Sequence, residues 1–434
     1  MSALLVTVVI GLPGCMLRDA HRQMAQMDSV CIITGTVAGS HEQPGPFAVV
    51  LMDGNSSEIP SSIRPVDHFV MESGGEWVFA VQPARYRLLA FRSLDGQLTY
   101  AHSDPLTMYD GGQSFHCQAG LFEPSIDLVI HDGDVADQAF SIDLTRKKGG
   151  FLIEGSRAIV SLGQATAFGE VTTLDHARFS LELANDSQWR PLDFMMAGHA
   201  GVYFLKAFDP NRIPVLFVHG INGSPRVFDE VLAGMDRERF QPWLYYYPSG
   251  MGLRENAEYL TNIMLELELR HAVPEVHVVA HSMGGLVAWQ FILNRQKRQS
   301  PATVGQFISL STPWGGHGAA GRAAESSPIV LPVWKDMSPN SEFLENLFVT
   351  DHGASVIGQL PESTRMHLLF SYQGGDRLTW GTTDGVISMA SLLRSEAQQS
   401  ASRVYGVDAT HIGILSHPEA LEMVNNILNQ ETAE

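Results

Sequence analysis

From about residue 210 the chain alternates between two apolar patterns, and few architectures accept that alternation. "IPVLFVHG" (213–220) is a continuous apolar run, as a strand buried on both faces requires. "SPRVFDEVLAGM" (224–235) follows as a helix, with Ser224 in the capping position and Pro225 at the first helical residue. "PWLYYYP" (242–248) reads as a strand. "LRENAEYLTNIMLELELR" (253–270) reads as a helix whose Leu253, Ala257, Leu260, Met264 and Leu267 fall on one face. "EVHVVA" (275–280) and "MGGLVAWQFIL" (283–293) repeat the pair, and "GQFISLST", "MHLLFSY" and "SRVYGV" are later strands. Parallel strands need crossover connections, which helices supply. Residues 210–434 therefore read as an α/β domain around a mostly parallel sheet.

Ahead of this region the pattern is different. "CIITGTVAG", "PFAVVLMD", "EWVFAVQ" and "YRLLAFRS" are short strands separated by Gly, Pro, Asp and Ser. "RYRLLAF" alternates in the way of a strand with one face on a core. Residues 30–142 are expected to form an antiparallel β-sandwich, and 143–209, opening on the polar "DLTRKKGG", a linker and lead-in. With 434 residues the chain has room for both domains.

Composition narrows the function. Lys+Arg of 28 against Asp+Glu of 47 gives a formal charge of −19, which repels nucleic acid and anionic bilayers. The acid excess serves solubility. The first fifteen residues, "MSALLVTVVIGLPGC", are too short to span a bilayer and have the form of an export signal. "LPGC" resembles a bacterial lipobox, which would make Cys15 a lipid-modified first residue and a peripheral membrane tether. The implied location is the bacterial cell envelope, as a periplasmic or outer-membrane lipoprotein, or the secreted fraction. Cys31 and Cys117 remain, either as a disulfide or as two buried thiols.

The chemistry centres on "VVAHSMGGLVA" (278–288). A serine hydroxyl is nearly inert at neutral pH and needs a base beside it and exposure to substrate. A sharp strand–turn–helix gives that exposure when the neighbours are tiny, and here Ser282 lies between a strand and a helix with Gly284 behind it and Ala280 ahead. Upstream, "VLFVHGING" runs from a strand into His219 and Gly220. The backbone N–H groups of Ile221 and Met283 are the candidate oxyanion donors, with Gly220 allowing close approach and His219 bracing the loop. An acid and then a histidine should follow. Asp336, Asp351, Asp376, Asp384 and Asp408 are available, and Asp384 in "GTTDGVIS" lies just beyond a strand, with Asp376 second. Among 17 histidines, His352 and His367 precede that acid and His417 opens the last helix. His411 in "DATHIGIL" has the expected place in the order.

These segments carry two resemblances. "TGTVAG…PFAVVLMDG…GGEWVFAVQPARYRLLAFRSLDG" resembles the transthyretin-like, carboxypeptidase-regulatory type of β-sandwich, with Ala84 where a glycine is usual. "PVLFVHGINGSP", "VVAHSMGGLVA", "LSTPWGG", "TTDGVIS" and "THIGIL", in that order, resemble the α/β-hydrolase superfamily, specifically bacterial lipases and lipase-like esterases. The second resemblance implies Ser282 as nucleophile, Asp384 as acid and His411 as base, with Trp314 lining the pocket. It also implies a cap formed by an insertion at about 317–364. The expected function is hydrolysis of carboxylic or lipid esters through an acyl-enzyme. An acyltransferase or amidase would use the same residues, and a non-catalytic binding protein could reuse the fold. No HExxH, CxxC or phosphate-binding glycine loop occurs, so neither cofactor nor metal is expected.

Overall fold

One eight-stranded sheet organises the C-terminal part of the computed structural model. The structure describes residues 18–19, 21–23, 30–39, 45–55, 61–96, 98–136, 139–144, 162–348, 360–373 and 382–430. Cys15 and the rest of the export-signal segment, Asp351, His352 and Asp376 lie outside the described residues.

The N-terminal strands are β1 (Cys31–Gly39), β2 (Phe47–Asp53), β3 (Ser62–Ile63), β4 (Asp67–Met71), β5 (Gly75–Val81), β6 (Ala84–Arg92), β7 (Leu106–Met108), β8 (Phe115–Cys117), β9 (Gly120–Leu121), β10 (Ile126–Ile130) and β11 (Ser141–Ile142). One sheet has the order β10-β1-β5 with β9 also on β1. A second has β4-β2-β6-β7 with β8 also on β6. Val37 and Trp77 from the first sheet and Val49, Tyr86 and Leu88 from the second share one core. A Cys31–Cys117 disulfide joins β1 of one sheet to β8 of the other. Two expectations change here. The first sheet is mixed, because β10 and β9 run parallel to β1. Strand β6 is buried on both faces instead of one, since Leu89 and Phe91 meet a second core built from Tyr100, Leu106, Ile142 and Leu144. Chain from beyond the strand folds back over it, and alternation within the strand carries no sign of that cover.

The large sheet comprises β12 (Ala167–Val171), β13 (Gly201–Phe204), β14 (Ile213–Val218), β15 (Phe240–Tyr246), β16 (Glu275–His281), β17 (Thr303–Leu310), β18 (Arg365–Ser371) and β19 (Arg403–Val407), in the order β12-β13-β15-β14-β16-β17-β18-β19. All neighbours are parallel except β13 against β15. The sheet therefore begins well before residue 210. Part of the stretch read as linker and lead-in supplies two of its strands and the helices Leu181–Trp189 and Pro191–Met196. Both strands are short, four or five residues, too short to give a strong period. Ser224 holds the N-cap position with Pro225 first in the turn, but not the capping bond. Its hydroxyl donates to Phe179 O at 3.0 Å instead of capping, and the chain enters a 3₁₀ turn, Pro225–Phe228, before the helix Asp229–Gly234.

The helix Leu253–His271 faces two ways. Leu253, Ala257, Leu260, Met264 and Leu267 join the core over the large sheet. Leu265, on the opposite side, is buried in the core of the two N-terminal sheets. Glu266 accepts from Arg270 Nε at 2.9 Å and lies 3.4 Å from His68 Nε2 of β4, while Arg270 Nη2 donates to Leu144 O at 2.7 Å. Within the insertion, the helices Gly318–Ser326, Pro332–Asp336 and Glu342–Asn346 bury Val333, Trp334, Phe343 and Leu344 in the same cluster as Leu286 and Trp289. Asp336 Oδ2 accepts the N–H of Leu253, at the start of the two-faced helix, at 2.7 Å.

Leu265 belongs by sequence to one unit and by packing to the other. Leu265→Ala should therefore lower stability by about 2–5 kcal/mol. Urea unfolding should show the loss in probes of both units, whereas a loss confined to one would mean that they unfold independently.

Candidate active site

Strand β16 ends at His281 and the helix Met283–Lys297 begins one residue later, so a single residue makes the whole turn. That residue is Ser282, at φ 54°, ψ −132°, a conformation that L-residues avoid. Two bonds hold it there: Ser282 N–H donates to Leu310 O at 2.8 Å, and Gly285 N–H donates to Ser282 O at 2.9 Å. The two glycines behind it let the helix start close to the sheet. A Cβ on Gly284 would stand 2.2 Å from Val218 O, and one on Gly285 would stand 1.9 Å from Thr312 Oγ1. Ala280, by contrast, is fully buried within β16 and accommodates its methyl group.

Three strand ends converge on this turn. His411, four residues past β19, places Nε2 2.9 Å from Ser282 Oγ, and its Nδ1 lies 2.7 Å from Asp384 Oδ2. A carboxylate only accepts, so Nδ1 carries the hydrogen and Nε2 is left to accept from the serine. The N–H of His411 donates to Asp384 O at 2.9 Å, which fastens the base's loop to the acid's turn. Asp384 is fully buried. Its Oδ1 accepts from Val386 N–H at 3.0 Å and Ile387 N–H at 2.7 Å. Burial pushes this carboxyl toward neutrality, but the His411 hydrogen bond and charge and the two N–H donors outweigh it and hold it below the usual carboxylate range.

The loop after β14 closes the other side. A Cβ on Gly220 would be 3.0 Å from Ser282 Cβ and 3.4 Å from its Oγ, so the backbone leading into Ile221 runs against the serine. His219 braces this loop: Nδ1 bonds Gly220 O at 2.8 Å, the ring stacks on Tyr247 at 4.4 Å, and Tyr247 OH donates to His219 O at 2.6 Å. Burial lowers the His219 pKa to about 4, so the ring is neutral. Met283 is the first helical residue, and its N–H points out of an end that has no intrahelical partner to offer it.

Other candidates fall elsewhere. Trp314 is fully buried, with its ring 5.5 Å from Trp289 and 6.1 Å from Phe348, so it packs the core and does not line open space. Asp336 serves the helix start at Leu253, and Asp408 is exposed. His367 lies within β18 bonded to Gln306, and His417 precedes the last helix, Pro418–Leu428. A cavity of about 910 Å³ between the N-terminal sheets and the helices Leu253–His271 and Met283–Lys297 has Phe47, Phe69, Arg254 and Glu258 on its walls, and none of Ser282, Asp384 or His411.

Three residues here had no signal in the sequence. His281 Nε2 donates to His411 O at 2.9 Å, its pKa lowered to about 3, first by burial and then by the neighbouring imidazole. Ser371, the last residue of β18, donates its hydroxyl to Asp384 Oδ2 at 2.9 Å. Ser311 Oγ lies 2.7 Å from Ser371 Oγ. Only the rule that polar residues at parallel strand ends gather at one edge could have raised them.

Residues 245–328 match the lecithin:cholesterol acyltransferase family. The match spans Ser282 and its flanking strand and helix and stops short of Asp384 and His411. A phosphatidylcholine-sterol acyltransferase of Gallus gallus is 35% identical over 72 residues, which is 16% of this chain and 17% of that protein. The matched part is thus under a fifth of that relative's length. Among solved structures, the mature Bacillus licheniformis lipase BlEst2 is 16% identical over 51% of this chain and 93% of its own, with a TM-score of 0.40. Aspergillus fumigatus lipase B is 15% identical over 54% and 58%, with a TM-score of 0.41.

Two outcomes follow from the geometry. Gly284→Ala sets a methyl against backbone carbonyls that have no room to move, and thermal unfolding should show a loss of about 1–3 kcal/mol. Asp384 has a lowered pKa, so its ionisation stabilises the fold above the reference value of 3.8, and this contribution is lost as pH falls through the lowered folded-state value. In urea titrations, Asp384→Asn should be less stable than the parent at neutral pH, and the gap should narrow below pH ~4. A gap independent of pH would contradict the ionised assignment.

Proposed function

We propose that this chain is a serine hydrolase of carboxylic esters, of lipase or esterase type, working by two-step acyl transfer. The observation that carries the reading is the unbroken line from Ser282 Oγ through both nitrogens of His411 to Asp384 Oδ2, at 2.9 and 2.7 Å.

Ser282 Oγ attacks the ester carbonyl while His411 Nε2 takes its proton, and the buried Asp384 carboxylate stabilises the resulting imidazolium. The N–H groups of Ile221 and Met283 are proposed to receive the oxyanion, which suits the close passage of Gly220 and the helix start at Met283. The leaving alcohol collects the proton from His411. Water, activated by the same imidazole, then attacks the acyl-serine and releases the acid and the free enzyme. Every proton in this cycle is carried by His411, and no step calls on a cofactor.

The similarity of residues 245–328 to lecithin:cholesterol acyltransferases favours one further reading, in which an alcohol instead of water takes the acyl group from Ser282. The substrate would then be a lipid ester. A cell-envelope or secreted location, with a tether at Cys15, is part of the same proposal, and the Cys31–Cys117 disulfide supports an oxidising compartment.

Ser282→Ala should lower kcat/KM on p-nitrophenyl acyl esters by roughly 10⁴-fold or more and leave the unfolding curve in place. A fluorophosphonate probe should label the parent and not the variant. Retained activity in Ser282→Ala would end the proposal, and an added long-chain alcohol that diverts product from acid to ester would select the transferase reading.

A further inference from the structure

The Asp384 carboxylate serves more than its histidine. Oδ2 accepts from His411 Nδ1 at 2.7 Å and from Ser371 Oγ at 2.9 Å. Because a carboxylate only accepts, the single hydroxyl proton of Ser371 is committed to Asp384. The Ser371 oxygen is then left to accept, and its neighbour at 2.7 Å is Ser311 Oγ. Ser311 Oγ in turn accepts the N–H of Ser371 at 3.2 Å. The donors therefore run one way, from Ser311 to Ser371 to Asp384, and both serines are fully buried. Ser311 sits at φ 50°, with its N–H on Leu369 O at 2.8 Å, directly after the Leu310 carbonyl that holds the Ser282 turn. Ser311 thus combines a strained backbone position with a buried hydroxyl whose proton is directed along this chain.

We infer that Ser371, backed by Ser311, is a positioning residue that shares Asp384 Oδ2 with His411 and so limits how tightly the carboxylate grips the imidazole. The inference rests on the proposed Ser282–His411–Asp384 reading. With Ser371 in place, part of the charge on Oδ2 is spent on a second donor, and the base stays free to pass its proton on. Without it, the same oxygen bonds His411 alone, while Oδ1 remains fixed by Val386 and Ile387.

Other ionisable groups face this pair. His281 lies against the His411 ring at 5.1 Å, His317 Nε2 bonds Val386 O at 3.2 Å, and His219 and Arg322 lie behind those two. His281 and His219 are neutral through the working range, with pKa values near 3 and 4, and burial also lowers that of His317. Comparing the parent with a Ser371 variant leaves these neighbours unchanged, and the Nδ1–H resonance reads the His411–Asp384 bond directly.

The test compares the parent with Ser371→Ala, Ser371→Thr and Ser311→Ala. In Ser371→Ala the acidic limb of kcat/KM for p-nitrophenyl butyrate should move to higher pH by roughly half to one unit, with KM within about twofold. The downfield proton resonance of His411 Nδ1–H, which needs no substrate, should move further downfield. Ser311→Ala should do the same to a smaller extent, and Ser371→Thr, which keeps the hydroxyl, should restore the parent values. A limb and a resonance that stay in place in folded Ser371→Ala and Ser311→Ala, or that move the other way, would overturn the inference. If Ser282→Ala keeps full hydrolysis, the catalytic reading fails instead, and the Nδ1–H resonance still decides the role of Ser371.

Discussion

The turn at Ser282 is the constraint on which the remaining geometry depends. A strand and a helix meet at one residue with positive φ, and that conformation persists because Leu310 O takes its N–H and the helix takes its carbonyl. The strain is tolerable only where the helix can lie against β14 and the chain after β17, which is why Gly284 and Gly285 have no room for a side chain. Once the hydroxyl is raised above the strand ends, loops following β14, β18 and β19 have one place to meet. The side chains of Asp384, His411, Ser371 and His281 that converge there are buried, and each has a partner that fixes its direction. This is how a low-dielectric site holds an ionised Asp384 without destabilising the fold.

The helix Leu253–His271 has a comparable role at larger scale. One face closes the core of the large sheet, and the other enters the core of the two N-terminal sheets through Leu265. Buried charge on the helix is used at the same boundary, with Glu266 meeting Arg270 and His68, while Glu268 pairs with Arg295 of the helix Met283–Lys297. The N-terminal sheets are joined to the sheet carrying Ser282 by packing and by directed polar contacts, not by chain alone.

Much of the site was legible because its parts are local. The order Ser282, Asp384, His411, the apolar run before each and the small residues beside them are written along the chain, and those three side chains do meet. Elements with weak local signals were misjudged. Strands β12 and β13 are too short to show a period, and the cover over β6 comes from Tyr100, Leu106, Ile142 and Leu144, later in the chain. Trp314 lies just past a strand end and directly before Gly315 and Gly316, as a pocket residue would, yet the aromatic cluster of Trp289 and Phe348 claims it.

The sequence by itself determined which residues could react and in what order the chain presents them, since a strand–turn–helix around Ser282 is set by neighbours within a few positions. Tertiary structure alone decided which groups share Asp384. Ser311 and Ser371 are 60 residues apart and His281 is 130 from His411, and a hydrogen bond depends on distance in space, which parallel strand pairing sets and local sequence does not encode.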